Sequence, residues 1–266
     1  MLLADMGTQY TKIFNSAKGE YRVIESVNWH NEIKADIACG HNCKHRTKLE
    51  VNELVAMAKG AQNLIEAESF VLVDVGSRDI KSVIFRDGEY AGCDWNYMCG
   101  AMAGFTVELL GTYFNIDYDD LDVAQEHIPV TCGVLGMGAI FDKIADGLPP
   151  ERAVAMFIKG LAKNIHNFAG KSSKIYLSGG LCENKLFINS LPCEVALLGR
   201  YVQVEGLKSY MPAQHKSVHL SASSGEIHPE QGKAAVSKGY SNDPIMADFR
   251  KFGFKSAVAK PYKDRD

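Results

Sequence analysis

Two copies of one short phrase carry the chemistry that this chain could do. Residues 5–12 read Asp5-Met6-Gly7-Thr8-Gln9-Tyr10-Thr11-Lys12, and residues 74–81 read Asp74-Val75-Gly76-Ser77-Arg78-Asp79-Ile80-Lys81. The aspartate suits a magnesium ion held through water. The glycine lets backbone N–H groups approach an anion closely, and it tolerates a positive φ. The Thr or Ser adds a hydroxyl, and a lysine closes each phrase. One such turn is common in any β protein. Two copies, each opening one half of the chain, predict a duplicated fold that grips a nucleotide from both sides.

The elements that must position these phrases are strands. Each phrase follows an apolar run (Leu2-Leu3-Ala4; Phe70-Val71-Leu72-Val73) and leads into a second β-rich run (Ile13-Phe14; Ser82-Val83-Ile84-Phe85), so each is the tip of a hairpin. The first lobe, residues 1–65, then reads as strands at 21–27 and 35–39 and an amphipathic helix from Leu49 to Leu64. The second lobe, 66–240, reads as its hairpin, the turn Asp87-Gly88 and a short strand at Glu89-Tyr90. Helices follow at 100–114, 133–146 and 150–169, the last starting near Pro150. Strand 174–178 runs into Gly179-Gly180. A helix at 183–190 and strands at 193–197 and 201–205 come next. A small-residue helix at 231–239 is expected to pack back on the core, and 241–266 reads as a peripheral tail.

Composition fits this picture. The chain has 266 residues, 46% hydrophobic and 23% charged, enough for two core-bearing lobes. A net charge of −3 gives no reason to expect nucleic acid or an anionic membrane as partner. No apolar run reaches the roughly 18 residues of a membrane-spanning helix. The first residues already read as strand and phosphate loop, leaving no room for a signal peptide. Seven cysteines, an odd number without framework spacing, read as thiols in a reducing cytoplasm.

With these features the chain resembles the superfamily of ATPases that includes acetate and sugar kinases, Hsp70 and actin. Within it, the resemblance is to the activator component of 2-hydroxyacyl-CoA dehydratases and the related benzoyl-CoA reductase ATPase subunits. It runs over residues 1–240. It is carried by the two hairpins, the helix with Glu53-Leu54 and Gly60-Ala61, and the segment Ser178-Gly179-Gly180-Leu181-Cys182-Glu183-Asn184. His228-Pro229-Glu230-Gln231-Gly232-Lys233-Ala234-Ala235 resembles the closing segment. The implied fold is α/β, a duplicated actin-like (ribonuclease H-like) ATPase fold whose two lobes hold mixed sheets flanked by helices.

The resemblance also implies a cofactor set. ATP would lie between the lobes, on Asp5, Gly7, Thr8 and Lys12 from one side and Asp74, Gly76, Ser77 and Lys81 from the other, with Gly179, Gly180 and Asn184 near the adenosine. Asp5, Asp74 and Asp79 would hold Mg²⁺ largely through water, and Asp79 would also orient the attacking water. Asn96-Tyr97-Met98-Cys99-Gly100-Ala101 and Val130-Thr131-Cys132-Gly133-Val134 match the family's two cluster cysteines. A [4Fe–4S] cluster normally takes four thiolates, and a homodimer with its two-fold axis through the cluster would supply two from each chain. A helix N-terminus stabilises a thiolate. The implied activity is ATP hydrolysis coupled to single-electron transfer, from ferredoxin or flavodoxin to a dehydratase-like or reductase partner.

Several features depart from the family. Gly100–Phe105 is more apolar and lacks the usual Arg, Leu135–Ala139 replaces acidic residues, and Ser77-Arg78 stands where Gly-Gln is usual. A small-molecule kinase of the same fold is one alternative, although no obvious insertion builds a substrate pocket. An ATP-sensing protein without a cluster is another. Cys39, His41, Cys43 and His45 alternate along one stretch and could share a face, but structural zinc sites usually draw ligand pairs from separated segments.

Overall fold

The first phrase folds as a β-hairpin in the computed structural model, which describes residues 1–30, 32–96, 103–130 and 133–212. β1 (Leu2–Met6) pairs antiparallel with β2 (Tyr10–Asn15), placing Asp5 opposite Lys12. β3 (Glu20–Glu25) continues the meander, while β4 (Ala35–Cys39) and β5 (Thr47–Glu50) add in parallel on the other side of β1. The sheet order is β3-β2-β1-β4-β5. Helix α1 (Glu53–Leu64) follows, and the Asn52 side chain caps it by accepting from the Leu54 and Val55 N–H groups.

The second half repeats the plan. β6 (Phe70–Val75) and β7 (Ile80–Arg86) form the second hairpin, with Asp74 opposite Lys81 in the register of the first. β8 (Glu89–Asn96) completes the meander. Three helices follow, α2 (Ala103–Phe114), α3 (Gly133–Ala145) and α4 (Pro150–Phe168). β9 (Lys174–Gly179) pairs parallel with β6, α5 (Lys185–Ser190) comes next, and β10 (Glu194–Gly199) pairs parallel with β9. The sheet order β8-β7-β6-β9-β10 matches the first sheet element for element.

Two helices lock the sheets together. Leu54, Val55, Met57, Ala58 and Ala61 of α1 pack with Leu72, Val83 and Phe85 of the second sheet. The last helix, α6 (Val202–Leu207), sends Val204 and Leu207 into a cluster with Leu3 and Ile37 of the first sheet. Where the two helices cross, a Cβ on Gly60 would lie 1.8 Å from the Val202 carbonyl oxygen, and one on Gly206 would lie 1.8 Å from the Ala56 oxygen. Only glycine permits this approach.

Three sequence expectations are corrected. Residues 201–205 are not a strand: apart from Tyr201, which precedes it, they lie in α6, because the small Gly206 and the apolar Val204 and Leu207 face α1 and the first sheet. Thr47–Glu50 is an edge strand rather than the start of a helix, since Asn52 caps the helix only from Glu53 onward. The strand expected at Glu89-Tyr90 extends to Asn96 by pairing along β7. The expected helix at 231–239, the closing-segment match at His228–Ala235 and the tail at 241–266 lie outside the described residues.

Candidate functional site

Both hairpins deliver their charged residues to one place between the sheets. Asp5, 1% exposed, receives Lys12 Nζ on Oδ2 at 2.9 Å, while its buried Oδ1 has no partner among the described residues. Burial works against the Lys12 charge, but the Asp5 and Asp74 carboxylates outweigh it and raise its pKa. Asp74 accepts a 2.7 Å hydrogen bond from Ser178 Oγ, which the parallel pairing of β6 with β9 sets beside it.

The second lysine behaves differently. Lys81, 3% exposed, turns its Nζ to Asp79 Oδ1 at 2.6 Å and to Glu53 Oε1 at 3.0 Å. Trp95 Nε1 donates to the other Asp79 oxygen at 2.9 Å. Both oxygens of Asp79 are therefore committed. Glu53, one-fifth exposed at the first position of α1, is pushed up to about 7 by burial and by the Asp5 and Asp79 carboxylates, against the pull of Lys81. Sequence reasoning assigned it no role. Its signal was slight, an acidic residue following an Asn cap, which ordinarily reads as a favourable first-turn charge.

The charges here do not cancel. Asp5, Asp74, Asp79 and Glu53 oppose Lys12 and Lys81, leaving a formal surplus of two negative charges when all are ionised. That surplus and the unpartnered Asp5 Oδ1 fit a divalent cation. Among the described residues no three His, Cys, Asp or Glu side chains converge as a direct metal shell. The reluctance of magnesium to dehydrate favours holding it here through water.

The hairpin tips are rigidly built. A Cβ on Gly7 would lie 2.8 Å from the Tyr10 carbonyl oxygen. The Gly7 carbonyl accepts from Ser26 Oγ and Asn42 Nδ2, each at 2.8 Å. In the second tip the Gly76 N–H donates to the Asp79 carbonyl at 3.0 Å. Helix α2 starts directly on this tip: Gly104 N–H donates to the Gly76 carbonyl at 3.2 Å and Phe105 N–H to the Ser77 carbonyl at 3.1 Å.

From the tips a cleft of about 660 Å³ runs to Gly180 and Asn184, passing Ser77, Glu108 and Arg200. Gly179, at φ 89°, backs onto β6, where a Cβ would meet the Val75 oxygen at 2.4 Å. Gly180 leaves its side of the cleft open. Asn184 lines the cleft while its Oδ1 caps α5 through the Phe187 N–H at 2.8 Å. The cleft thus joins the expected phosphate end to the expected adenosine end, while Asp5, Lys12, Asp74 and Lys81 stand on the hairpin strands and do not line it.

No protein-family model matches the chain, and no curated protein matches it in sequence. Among solved structures, the (R)-2-hydroxyglutaryl-CoA dehydratase component A of Acidaminococcus fermentans superposes with a TM-score of 0.60 at 14% identity, covering 79% of this chain and 96% of that one. A Sinorhizobium meliloti protein assigned as a 2-dehydro-3-deoxygalactonokinase superposes with a TM-score of 0.51 at 13% identity, over 83% of this chain and 99% of that one. The fold is the duplicated actin-like ATPase fold.

Within this actin-like frame the described cysteines are packing residues. Cys39 belongs to the cluster with Leu3 and Ile37, Cys43 to a separate one with Met6 and Trp29, and Cys182 to the core of the second half. Burial raises the Cys39 thiol well above its ordinary value, Cys43 to about 12 and Cys182 to about 11. Cys39 and Cys43 sit in different apolar clusters. The two expected cluster ligands, Cys99 and Cys132, lie outside the described residues. Among the described residues no helix is long and apolar enough to cross a membrane.

The Glu53 geometry gives a pH expectation. A carboxylate can accept a proton from water only when ionised, and burial holds Glu53 protonated to about 7. Any turnover that uses the Glu53 carboxylate as a base should therefore rise with pH through that value. Glu53→Gln should lower turnover by about a hundred-fold and flatten this limb. An unchanged pH profile in the variant would assign the limb to another group.

Proposed function

We propose that this chain is an ATP-dependent activator protein that uses nucleotide binding to deliver a low-potential electron. The partner would be a 2-hydroxyacyl-CoA dehydratase-like protein or related reductase, and ferredoxin or flavodoxin would be the donor. The observation that carries this reading is the junction of α2 with the second hairpin through Gly104 and Phe105. Cys99 lies four residues before α2, and Cys132 immediately precedes α3. In this reading a change at the Ser77 tip would reach α2 and, through it, the cluster ligand proposed at Cys99. The likeness to a dehydratase component A supports the same reading.

In this reading lobes 1–65 and 66–240 close on Mg·ATP. Thr8, Ser77 and the backbone N–H groups of both tips take the phosphate oxygens, and Lys12 and Lys81 offset their charge. Asp5 and Asp74 would hold Mg²⁺ through water. Asp79 keeps Lys81 in place, and Glu53 is the base the site has available for the attacking water. Bound Mg²⁺ would neutralise phosphate charge, and a bound [4Fe–4S] cluster would supply a single electron. Cys99 and Cys132 of each protomer would complete the thiolate set in a homodimer, and the free thiols suit a reducing cytoplasm.

Iron content tests the assignment. Protein purified without oxygen should carry about four irons per dimer, and Cys99→Ala should lose iron and visible absorbance together. Cys39→Ala and Cys43→Ala should lose neither. Iron kept in the Cys99 variant and lost in the Cys39 variant would reverse the choice of ligands.

One observation favours a second reading, a small-molecule kinase. A pocket of about 390 Å³ opens at the hairpin tips between Thr8, Glu25, Ser77, Arg78, Phe105 and Glu108, a size that suits a small acceptor. Iron-free protein that consumes ATP only when a hydroxyl-bearing acceptor is added would establish that reading instead.

A further inference from the structure

We propose that Glu108 is a positioning residue that latches the first hairpin to α2, and that the nucleotide's phosphate chain displaces it. This deepens the nucleotide reading of the cleft and rests on it. Glu108 sits one turn beyond Gly104, the residue that seats α2 on the second hairpin. That seat is stiff, because a Cβ on Gly104 would lie 2.8 Å from the Gly76 oxygen. From it Glu108 reaches across the cleft to the opposite tip. Gln9 Nε2 donates to its Oε2 at 2.6 Å and Tyr10 Oη to its Oε1 at 2.9 Å. Two adjacent residues of the first tip thus grip both oxygens of one carboxylate carried by the second half.

A carboxylate held by two donors occupies the kind of site a phosphate takes. Gln9, Tyr10, Ser77 and Glu108 line both the 660 Å³ cleft and the 390 Å³ pocket, so the latch stands as the partition between them. Phosphates lying between Thr8 and Ser77 would meet the Glu108 charge directly, and their repulsion, screened in part because Glu108 is exposed, still disfavours joint occupancy. The same phosphates could accept from Gln9 and Tyr10 in its place. Arg200 adds to the demand for an anion: its guanidinium lies 5.6 Å from the Tyr10 ring centroid, and its buried Nε has no partner among the described residues. Its pairing with Glu183 at 2.5 Å leaves that N–H unused.

The latched arrangement and a phosphate-filled tip therefore exclude each other. With the latch made, α2 is tied to both hairpins. With phosphate in its place, α2 remains tied only to the second. Nucleotide occupancy would pass into α2 as the loss of one of its two anchors.

Calorimetric titration with Mg·ATP and with adenosine, on wild type, Glu108→Ala and Glu108→Gln, tests this. Removing the competing charge should tighten Mg·ATP binding by about ten-fold in Glu108→Ala and by less in Glu108→Gln, which keeps the shape. Adenosine, which lacks phosphates, should bind all three equally, an outcome that a purely structural role would not give. Hydrogen exchange over residues 106–114 should quicken on adding Mg·ATP to wild type, and should already be quick in Glu108→Ala. Wild type that binds Mg·ATP while both variants bind it equally well or more weakly would overturn the latch and leave the nucleotide reading intact. Failure of all three proteins to bind any nucleotide would overturn the nucleotide reading itself, and the latch with it.

Discussion

Asp5→Asn should lower Mg·ATP turnover by about a thousand-fold while the protein stays folded. The substitution changes shape by almost nothing, so no cavity opens. It removes the negative charge that pairs with Lys12 at 2.9 Å and the unpartnered Oδ1 that fits a hydrated cation. Lys12 then lacks its nearest counter-ion, and the formal surplus of negative charge falls from two to one. Asp74→Asn should act in the same direction, because Ser178 Oγ can still donate to the remaining amide oxygen. Phosphate release, measured beside thermal unfolding, separates the two possibilities. Full turnover in either folded variant would remove the hairpin aspartates from the site.

The second large effect falls on stability. Gly60→Val or Gly206→Val should cost about 3 kcal/mol, read as a fall in the unfolding midpoint of roughly 6–12 °C for a chain of this size. Each new Cβ would sit 1.8 Å from a backbone carbonyl oxygen of the facing helix, and backbone cannot step aside as a side-chain tip can. Because α1 and α6 join the two sheets, relief of the clash must shift one sheet against the other. Activity should fall even in the fraction that remains folded. Gly92→Ala, where a Cβ meets nothing within 4 Å, is the matched control and should change neither quantity. Equal midpoints for Gly60→Val and Gly92→Ala would show that the crossing yields easily.

Much of this architecture was legible in the sequence because its signals are local. Asp5-Met6-Gly7-Thr8 and Asp74-Val75-Gly76-Ser77 announce hairpin tips by the neighbouring β-rich runs, and the identical Asp-to-Lys spacing reappears as identical register. Pro149-Pro150 marked the start of α4 for the same reason. What escaped was set by distant contacts. Val202-Gln203-Val204 alternates like a strand, yet its packing against α1 and the first sheet makes it helix. The helix expected from Leu49 begins only at Glu53, where the Asn52 side chain caps it. The role of Glu53 depends on Lys81 and Asp79 approaching from another strand pair. Glu108 meets Gln9 across 99 positions of chain, beyond the reach of any spacing rule.

Iron extraction from the reduced protein, followed in the presence of Mg²⁺ with either a non-hydrolysable ATP analogue or ADP, tests most directly whether nucleotide binding governs the segments proposed to hold the cluster. Faster extraction by a chelator with the ATP analogue than with ADP is the expected result, because Cys99 precedes the helix seated on the Ser77 tip. Identical extraction rates in the two nucleotide states, or protein that binds Mg·ATP but never contains iron, would contradict it.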